Sequence, residues 1–454
     1  MSTALLDDAP PAATAPADPQ PGGSAVQPDP IPLRVTDLGL PLPLLQALLA
    51  KHLQAGGEQS LMSIAGRMAV HPSVAGELVT SLLDGGLVHA DAGAIGQLRV
   101  GLNARGHSYA QAAQEHDPYV GPTPLSAAHY SRLVEANSLL THPVTRAQLH
   151  RAFADVVVAD ETLDQLGHAL NSARPLLVHG PSGTGKTYLC ERLTKVVDGT
   201  TLIPYAIAVE DRCVAVYDPA LHDAVDDPLT LPADGSSDPR LLCCRRPALL
   251  TGGELHRGAL DIDIDPHSGI AQAPLTLRAN GGVLVIDDFG CQRIPADELM
   301  RRLALPIETH RDWIRLDSTY STEVPFDVRL ILITNLELER LAGDMFRHLV
   351  GHRIPLGEIS AANYLKLWQH ACQAFGIPFD PALPQYALEA LHGPRGVAPL
   401  AAHPSGLLAC LHEQARYSGT GATPTRAMLE RAWTEYLSTS AGEATAPRPP
   451  YRTH

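Results

Sequence analysis

The octapeptide Gly180-Pro-Ser-Gly-Thr-Gly-Lys-Thr187 constrains the fold of this chain more than any other stretch. It follows the apolar run Leu-Leu-Val-His and precedes Tyr-Leu-Cys-Glu-Arg-Leu-Thr-Lys-Val-Val. A strand, a glycine-rich loop and a helix are therefore expected in succession, and a chance glycine turn would lack both flanks. The glycines let backbone N–H groups close around phosphate oxygens, and the helix N-terminus adds partial positive charge. In such a loop Lys186 is placed for the β- and γ-phosphates of a nucleoside triphosphate, and Thr187 for Mg2+. Gly180, Pro181, Ser182, Gly183, Thr184, Gly185, Lys186, Thr187 and the adjoining Tyr188 form the candidate binding segment. Lysine otherwise occurs only at Lys51, Lys195 and Lys366, so Lys186 stands out against the composition.

Two further strands end in polar residues. Gly281-Gly-Val-Leu-Val-Ile-Asp-Asp-Phe-Gly290 has the Walker B form, an apolar strand tipped by two acids. Asp287 is the candidate Mg2+ ligand, directly or through water, and Asp288 the group that orients an attacking water. Val328-Arg-Leu-Ile-Leu-Ile-Thr-Asn335 is a third buried run with Asn335 at its end. Alone, either tip reads as a solvated turn residue. Downstream of the phosphate loop, the pair of acids reads as catalytic machinery.

Residues 1–32 are Ala, Pro, Asp and Gly with few large apolar groups, the composition of a disordered arm. Residues 33–118 are expected to form a winged-helix domain: helices over 40–53, 61–68 and 73–83, a short hairpin over 87–90 and 97–102, then a closing helix over 106–114. Residues 119–150 read as linker and lead-in, 151–356 as an α/β domain, 357–438 as purely helical and 439–454 as a flexible tail.

The order of phosphate loop, Walker B strand and Asn-tipped strand, with a helical lid after Pro355, resembles the AAA+ superfamily of ATPases. The resemblance spans about 125–438. It implies an α/β P-loop NTPase fold with a parallel sheet, a C-terminal all-α lid, and ATP and Mg2+ as cofactors. It makes Lys186, Asp288 and Asn335 catalytic, Asn335 as the sensor-1 residue that helps position the lytic water. It also implies a homo-oligomer, a hexamer favoured, in which an arginine from a neighbour meets the γ-phosphate. Arg347 is the candidate, with Arg353 beside it, and Arg395 is the substitute for an absent sensor-2 arginine. The segment 201–279, with Gly258-Ala-Leu-Asp-Ile-Asp-Ile-Asp-Pro-His-Ser-Gly269 patterned as a hairpin, is similar to the helix-2-insert group that includes MoxR-like ATPases and sigma-54 activators. Its Asp261, Asp263 and Asp265 lack the Gly and distal Glu of a calcium loop, and His348 and His352 lack the glutamate of a zinc helix.

Most AAA+ motors carry Asp-Glu where this chain has Asp287-Asp288. The shorter acid implies slow hydrolysis suited to a timed switch. The expected function is a slow, ring-forming remodelling ATPase acting on a protein or nucleic-acid client, the alternative being an ATP-gated regulatory or partner-docking switch.

Charge bears on that choice. The chain carries a formal net charge of −15, which works against broad attraction to nucleic acid or anionic lipid. Within 33–118, Arg34, Lys51, Arg67, Arg99 and Arg105 are outnumbered by acids, and the expected recognition helix offers Ser73, Glu77, Thr80 and Ser81 but no Lys, Arg, Asn or Gln. Protein docking or autoinhibition is favoured over DNA. Seven scattered cysteines without a CxxC pair, no apolar run long enough to span a bilayer and no signal-peptide pattern lead to a cytoplasmic expectation without membrane insertion.

Overall fold

The computed structural model describes residues 31–92, 98–141, 143–225, 238–316, 321–341, 344–419 and 424–445. The expected arm before residue 31, the wing turn at 93–97 and the tail beyond 445 lie outside the described residues.

The first unit holds helices Leu42–Gly56, Leu61–Met68, Pro72–Asp84 and Ala104–His116, with β1 (Gln59–Ser60), β2 (Val88–Ala92) and β3 (Leu98–Leu102). The strands form an antiparallel sheet in the order β1-β3-β2. Local chemistry sets the helix ends: Ser60 and Asn103 accept the N–H groups of Ser63 and Gly106, and Pro72 opens its helix where no intrahelical N–H is needed.

The central unit begins with β4 (Leu176–His179), then the phosphate loop and helix Lys186–Thr194. Five short strands follow: β5 (Thr200–Pro204), β6 (Ala206–Val209), β7 (Arg212–Ala215), β8 (Leu241–Arg245) and β9 (Ala248–Thr251). Beyond them come β10 (Asp263–Ile264), β11 (Ala271–Gln272), β12 (Gly282–Ile286), β13 (Arg311–Ile314), β14 (Thr322–Pro325), β15 (Val328–Thr334) and β16 (His352–Pro355). The main sheet runs β16-β4-β15-β12-β9, all parallel. Every residue of β12 and β15 is buried, which explains why β12 is apolar throughout and β15 is apolar apart from Arg329, whose Nε donates to Leu170 O, and the terminal Thr334: helices cover both faces of such a sheet. Helix Lys186–Thr194 packs on one side through Leu189, Cys190 and Leu193, and helix Ala296–Thr309 on the other through Leu299, Met300 and Leu303. This is a P-loop α/β fold, with the strand before the phosphate loop inside a parallel sheet.

A second sheet, β10-β11-β7-β6, is inserted between phosphate loop and Walker B strand. The expected hairpin is present as β10 paired antiparallel with β11. It packs against the first unit, where Ala206, Ala208, Cys213 and Ile270 join the core of the N-terminal helices. A buried ion pair lies at this junction: Lys51 Nζ contacts Asp117 Oδ2 at 3.1 Å and Asp117 O at 2.7 Å, while the Cys213 N–H reaches the same carboxylate at 3.3 Å.

The C-terminal helices Ala361–Phe375, Ala402–Ser418 and Arg426–Thr445 enclose Tyr364, Trp368, Leu407, Leu411 and Trp433. Ser360 caps the first and Gly376, at φ 65°, ends it. The last helix continues to Thr445, past the point where a flexible tail was expected to start at 439; that stretch holds no proline, and Ala441, Glu443 and Ala444 are good helix formers. Among the described residues no helix is long and apolar enough to cross a membrane.

Candidate nucleotide site

The strand order brings together residues far apart in sequence. Because β15 lies between β4 and β12, the end of the Asn-tipped strand falls between the phosphate loop and the two acids. Thr334 is in register with His179, the residue before the loop, and Leu332 with Ile286, the residue before Asp287. All three polar tips therefore stand at the same carboxyl edge of the sheet.

Gly180 sits at φ 147°, and a Cβ there would lie 1.9 Å from the Leu356 carbonyl oxygen, so only glycine lets the loop leave β4 beside that residue. Gly183 and Gly185 also take positive φ, 83° and 86°. Gly185 ends at a helix N-terminus that no side chain caps, unlike those headed by Ser60, Asn103, Ser126, Thr145 and Ser360. Uncapped N–H groups plus the helix dipole suit an anion. Pro181 and Ser182 form the exposed crest of the loop, and Tyr188 is exposed on the following turn. Thr184 faces inward, its hydroxyl donating to Pro181 O at 3.0 Å.

Lys186 is 5% exposed, and its ammonium donates to Gly180 O at 2.8 Å and Pro181 O at 2.7 Å. Burial lowers its pKa, opposed by the nearby charges of Asp287 and Asp288. Thr187 Oγ1 donates to Asp287 Oδ2 at 2.8 Å across 100 residues of sequence. Asp287 Oδ1 accepts the N–H of Asp288 at 2.8 Å, and Asn335 Nδ2 donates to Asp288 Oδ1 at 3.1 Å. One chain of contacts thus links Thr187, Asp287, Asp288 and Asn335. A hydroxyl and a carboxylate converging at the foot of the loop are hard oxygen donors of the kind Mg2+ takes.

Asp288 is one of few non-glycine residues at positive φ, 49°. Three features of the site were not anticipated from sequence. Gln292 Nε2 donates to both Asp287 O and Asp288 O, at 2.7 and 3.0 Å, and its Oε1 accepts the Gly290 N–H at 2.8 Å. Glu254 accepts from Thr251 Oγ1 at 2.9 Å and the Gly252 N–H at 2.8 Å, closing the end of β9; these bonds hold its carboxyl below the ordinary range. The lid reaches the phosphate loop through a backbone group, Ala402 N–H to Gly183 O at 2.9 Å. A glutamine in a loop reads only as a polar surface residue, and a backbone contact leaves no signal in residue type.

The arginine expectations divide. Arg347 is exposed on helix Asp344–Leu349, without an ion-pair partner among the described residues, whereas Arg353 donates to the carbonyl oxygen of Arg347. The Arg395 guanidinium lies 5.8 Å from the Trp433 ring centroid, so its recorded contact is within the lid. Asp261 faces Arg302, and Asp265 is occupied by the His267 N–H and Ser268 hydroxyl, so the acidic triplet does not converge. His348 and His352 lie on a helix and a strand respectively, which removes the same-face spacing of a zinc helix.

No curated protein matches this chain. A family model described as a domain of unknown function (DUF8689) matches residues 360–435, within the helical lid. Among solved structures, the RuvB Holliday junction branch migration motor of Thermotoga maritima is similar at 11% identity and a TM-score of 0.36, over 61% of this chain and 69% of that one. NtrX from Brucella abortus in complex with ATP is similar at 14% identity and a TM-score of 0.36, over 63% and 61%. Likeness at this level adds nothing to the strand order and side-chain geometry, which by themselves define the P-loop fold and its polar carboxyl edge.

Proposed function

We propose that this chain is a Mg2+-dependent ATPase of AAA+ type. The observation that carries the reading is the convergence of Lys186, Thr187, Asp287, Asp288 and Asn335 at one edge of the sheet. Thr187 and Asp287 would hold Mg2+, which neutralises charge on the β- and γ-phosphates when bound. Lys186 leaves the loop carbonyls to meet the same phosphates. Asp288, steadied by Asn335, orients a water. Its oxygen attacks the γ-phosphorus, the bond to the β,γ-bridging oxygen breaks, and ADP, hydrogen phosphate and one proton are released.

The short Asp288 carboxylate and its bond to Asn335 support slow turnover, below about 10 per second. The exposed Arg347 supports assembly into a ring, a hexamer in this reading, in which a neighbour supplies that arginine. The hairpin before β12 supports kinship with the MoxR-like and sigma-54-activator-like group, and the scattered cysteines without a CxxC pair accord with a cytoplasmic protein.

The N-terminal unit has the element order of a winged helix, and a specific observation favours a docking or gating role for it over DNA reading. On helix Pro72–Asp84 the outward Ser73 hydroxyl donates to Leu33 O, and Glu77 accepts the Val35 N–H at 2.9 Å. Segment 33–38 already occupies the face that would enter a groove. ATP hydrolysis by the full chain against Lys186→Ala tests the enzymatic reading: no Lys186-dependent phosphate release would refute it.

A further inference from the structure

Resting on that ATPase reading, we infer that Gln292 is a positioning residue for hydrolysis, acting through Asp288. The turn after β12 carries no regular structure, yet Asp288 must hold both a left-handed backbone and a side chain aimed at Asn335. An L-residue at φ 49° is disfavoured unless its surroundings impose it. One side chain supplies much of that constraint. The Gln292 amide spans the turn, its Nε2 bonding the carbonyls on either side of the Asp288 Cα and its Oε1 bonding the Gly290 N–H.

The rest of the turn is held from β15, where the Phe289 N–H meets Ile333 O at 2.6 Å and Thr334 Oγ1 meets Phe289 O at 2.8 Å. Of the two peptide planes flanking Asp288, the N–H sides are thus bonded to Ile333 O and to Asp287 Oδ1, and the carbonyl sides are held by Gln292 and, at Asp288 O, by the Cys291 N–H at 2.8 Å. Gln292 itself is only partly buried, and among the described contacts it has no other hydrogen-bond partner. Both of its N–H donors are spent on the turn. No carbon-for-carbon substitute reproduces a double donor with an acceptor: Gln292→Glu keeps the acceptor and length but sets a carboxylate against two carbonyl oxygens, and Gln292→Met keeps length alone.

The test measures ATP turnover, equilibrium binding of a slowly hydrolysed ATP analogue with Mg2+, and thermal stability, in the full chain and in Gln292→Glu, Gln292→Met, Asp288→Asn and the Asp288→Asn/Gln292→Met pair. Turnover in both single Gln292 variants should fall about tenfold to a hundredfold, the scale of a misplaced reacting group, with analogue affinity kept within about twofold. In the Asp288→Asn background, Gln292→Met should cost little more, because the group it positions is already disabled. Parental turnover in both single variants, additive losses in the pair, or joint loss of analogue binding and thermal stability would each overturn the assignment. Absence of Lys186-dependent hydrolysis in the parent would instead strike the ATPase reading itself.

Discussion

Asn335 and Asp288, at the tips of neighbouring parallel strands, meet through a 3.1 Å amide–carboxylate hydrogen bond. In the proposed ATPase reading that contact serves cleavage of the nucleotide and not its binding. Asp288→Asn should bind Mg-ATP at near-parental affinity while turnover falls about a hundredfold or more, and Asn335→Ala should show a smaller loss of the same kind. Single-turnover phosphate release beside equilibrium binding checks both. If client engagement needs only the ATP-bound state, Asp288→Asn will hold it on.

The Thr187–Asp287 contact makes a different prediction. Asp287→Asn and Thr187→Val should each raise the Mg2+ concentration needed for half-maximal hydrolysis and lower saturated turnover, by about a hundredfold for the carboxylate. A Mg2+ titration of the ATPase rate reads this directly, and chelation with EDTA should abolish hydrolysis in the parent.

Gly180→Ala should be destabilising as well as inactivating. The strained backbone alone costs about 1–3 kcal/mol, and the new methyl also collides with the Leu356 carbonyl. Thermal denaturation should show a lowered midpoint. A parental midpoint would contradict the close approach of loop and lid lead-in.

Lys51 and Asp117 form a buried pair, their side chains 1% and 6% exposed. Lys51→Met leaves the Asp117 carboxylate, among the described residues, with the Tyr119 and Cys213 N–H groups alone, and should cost about 3–5 kcal/mol. Adding Asp117→Asn should recover part of that loss. Denaturant unfolding of the single and double variants measures the coupling.

His403 gives the lid a pH dependence. Burial, then the neighbouring His392, pull its pKa down to about 4, against an ordinary 6.5. Its ring faces those of His392, Trp433 and Tyr436, and the Leu400 N–H donates to its Nδ1. Below the ordinary value the unfolded chain binds a proton that the folded one refuses. Stability from this group is therefore complete above about pH 6.5 and is lost as pH falls toward 4. Unfolding midpoints across that window should slope upward with pH, and His403→Phe should flatten the slope.

Legibility in the sequence followed physical cause. β12 and β15 were readable because burial on both faces demands mostly apolar runs, and the C-terminal region because its apolar residues recur with helical spacing between Gly and Pro breaks. The meeting of Lys186, Thr187, Asp287, Asp288 and Asn335 was readable as motif order, although the sheet order that causes it was not spelled out by any one segment. The inserted sheet was harder. β7 and β11 pair in parallel across more than fifty residues, and two-residue strands carry too little periodicity to name their partners. Arg395 shows another limit: the resemblance suggested it as a sensor-2 substitute, and its neighbour Trp433, 5.8 Å away at the ring centroid, could not be read from sequence.

Segment 33–38 across helix Pro72–Asp84 has a consequence for recognition. A ligand reaching for Ser73 and Glu77 meets a rival tethered to the same domain, only a few residues from its first long helix. Tethered rivals act at millimolar effective concentration without any change in the protein's amount. On the proposed docking reading, occupancy of that face would be set by exchange with a resident strip of chain, and Glu77→Gln, which weakens the hold on the Val35 N–H while keeping buried Leu38 in place, should raise affinity for such a ligand.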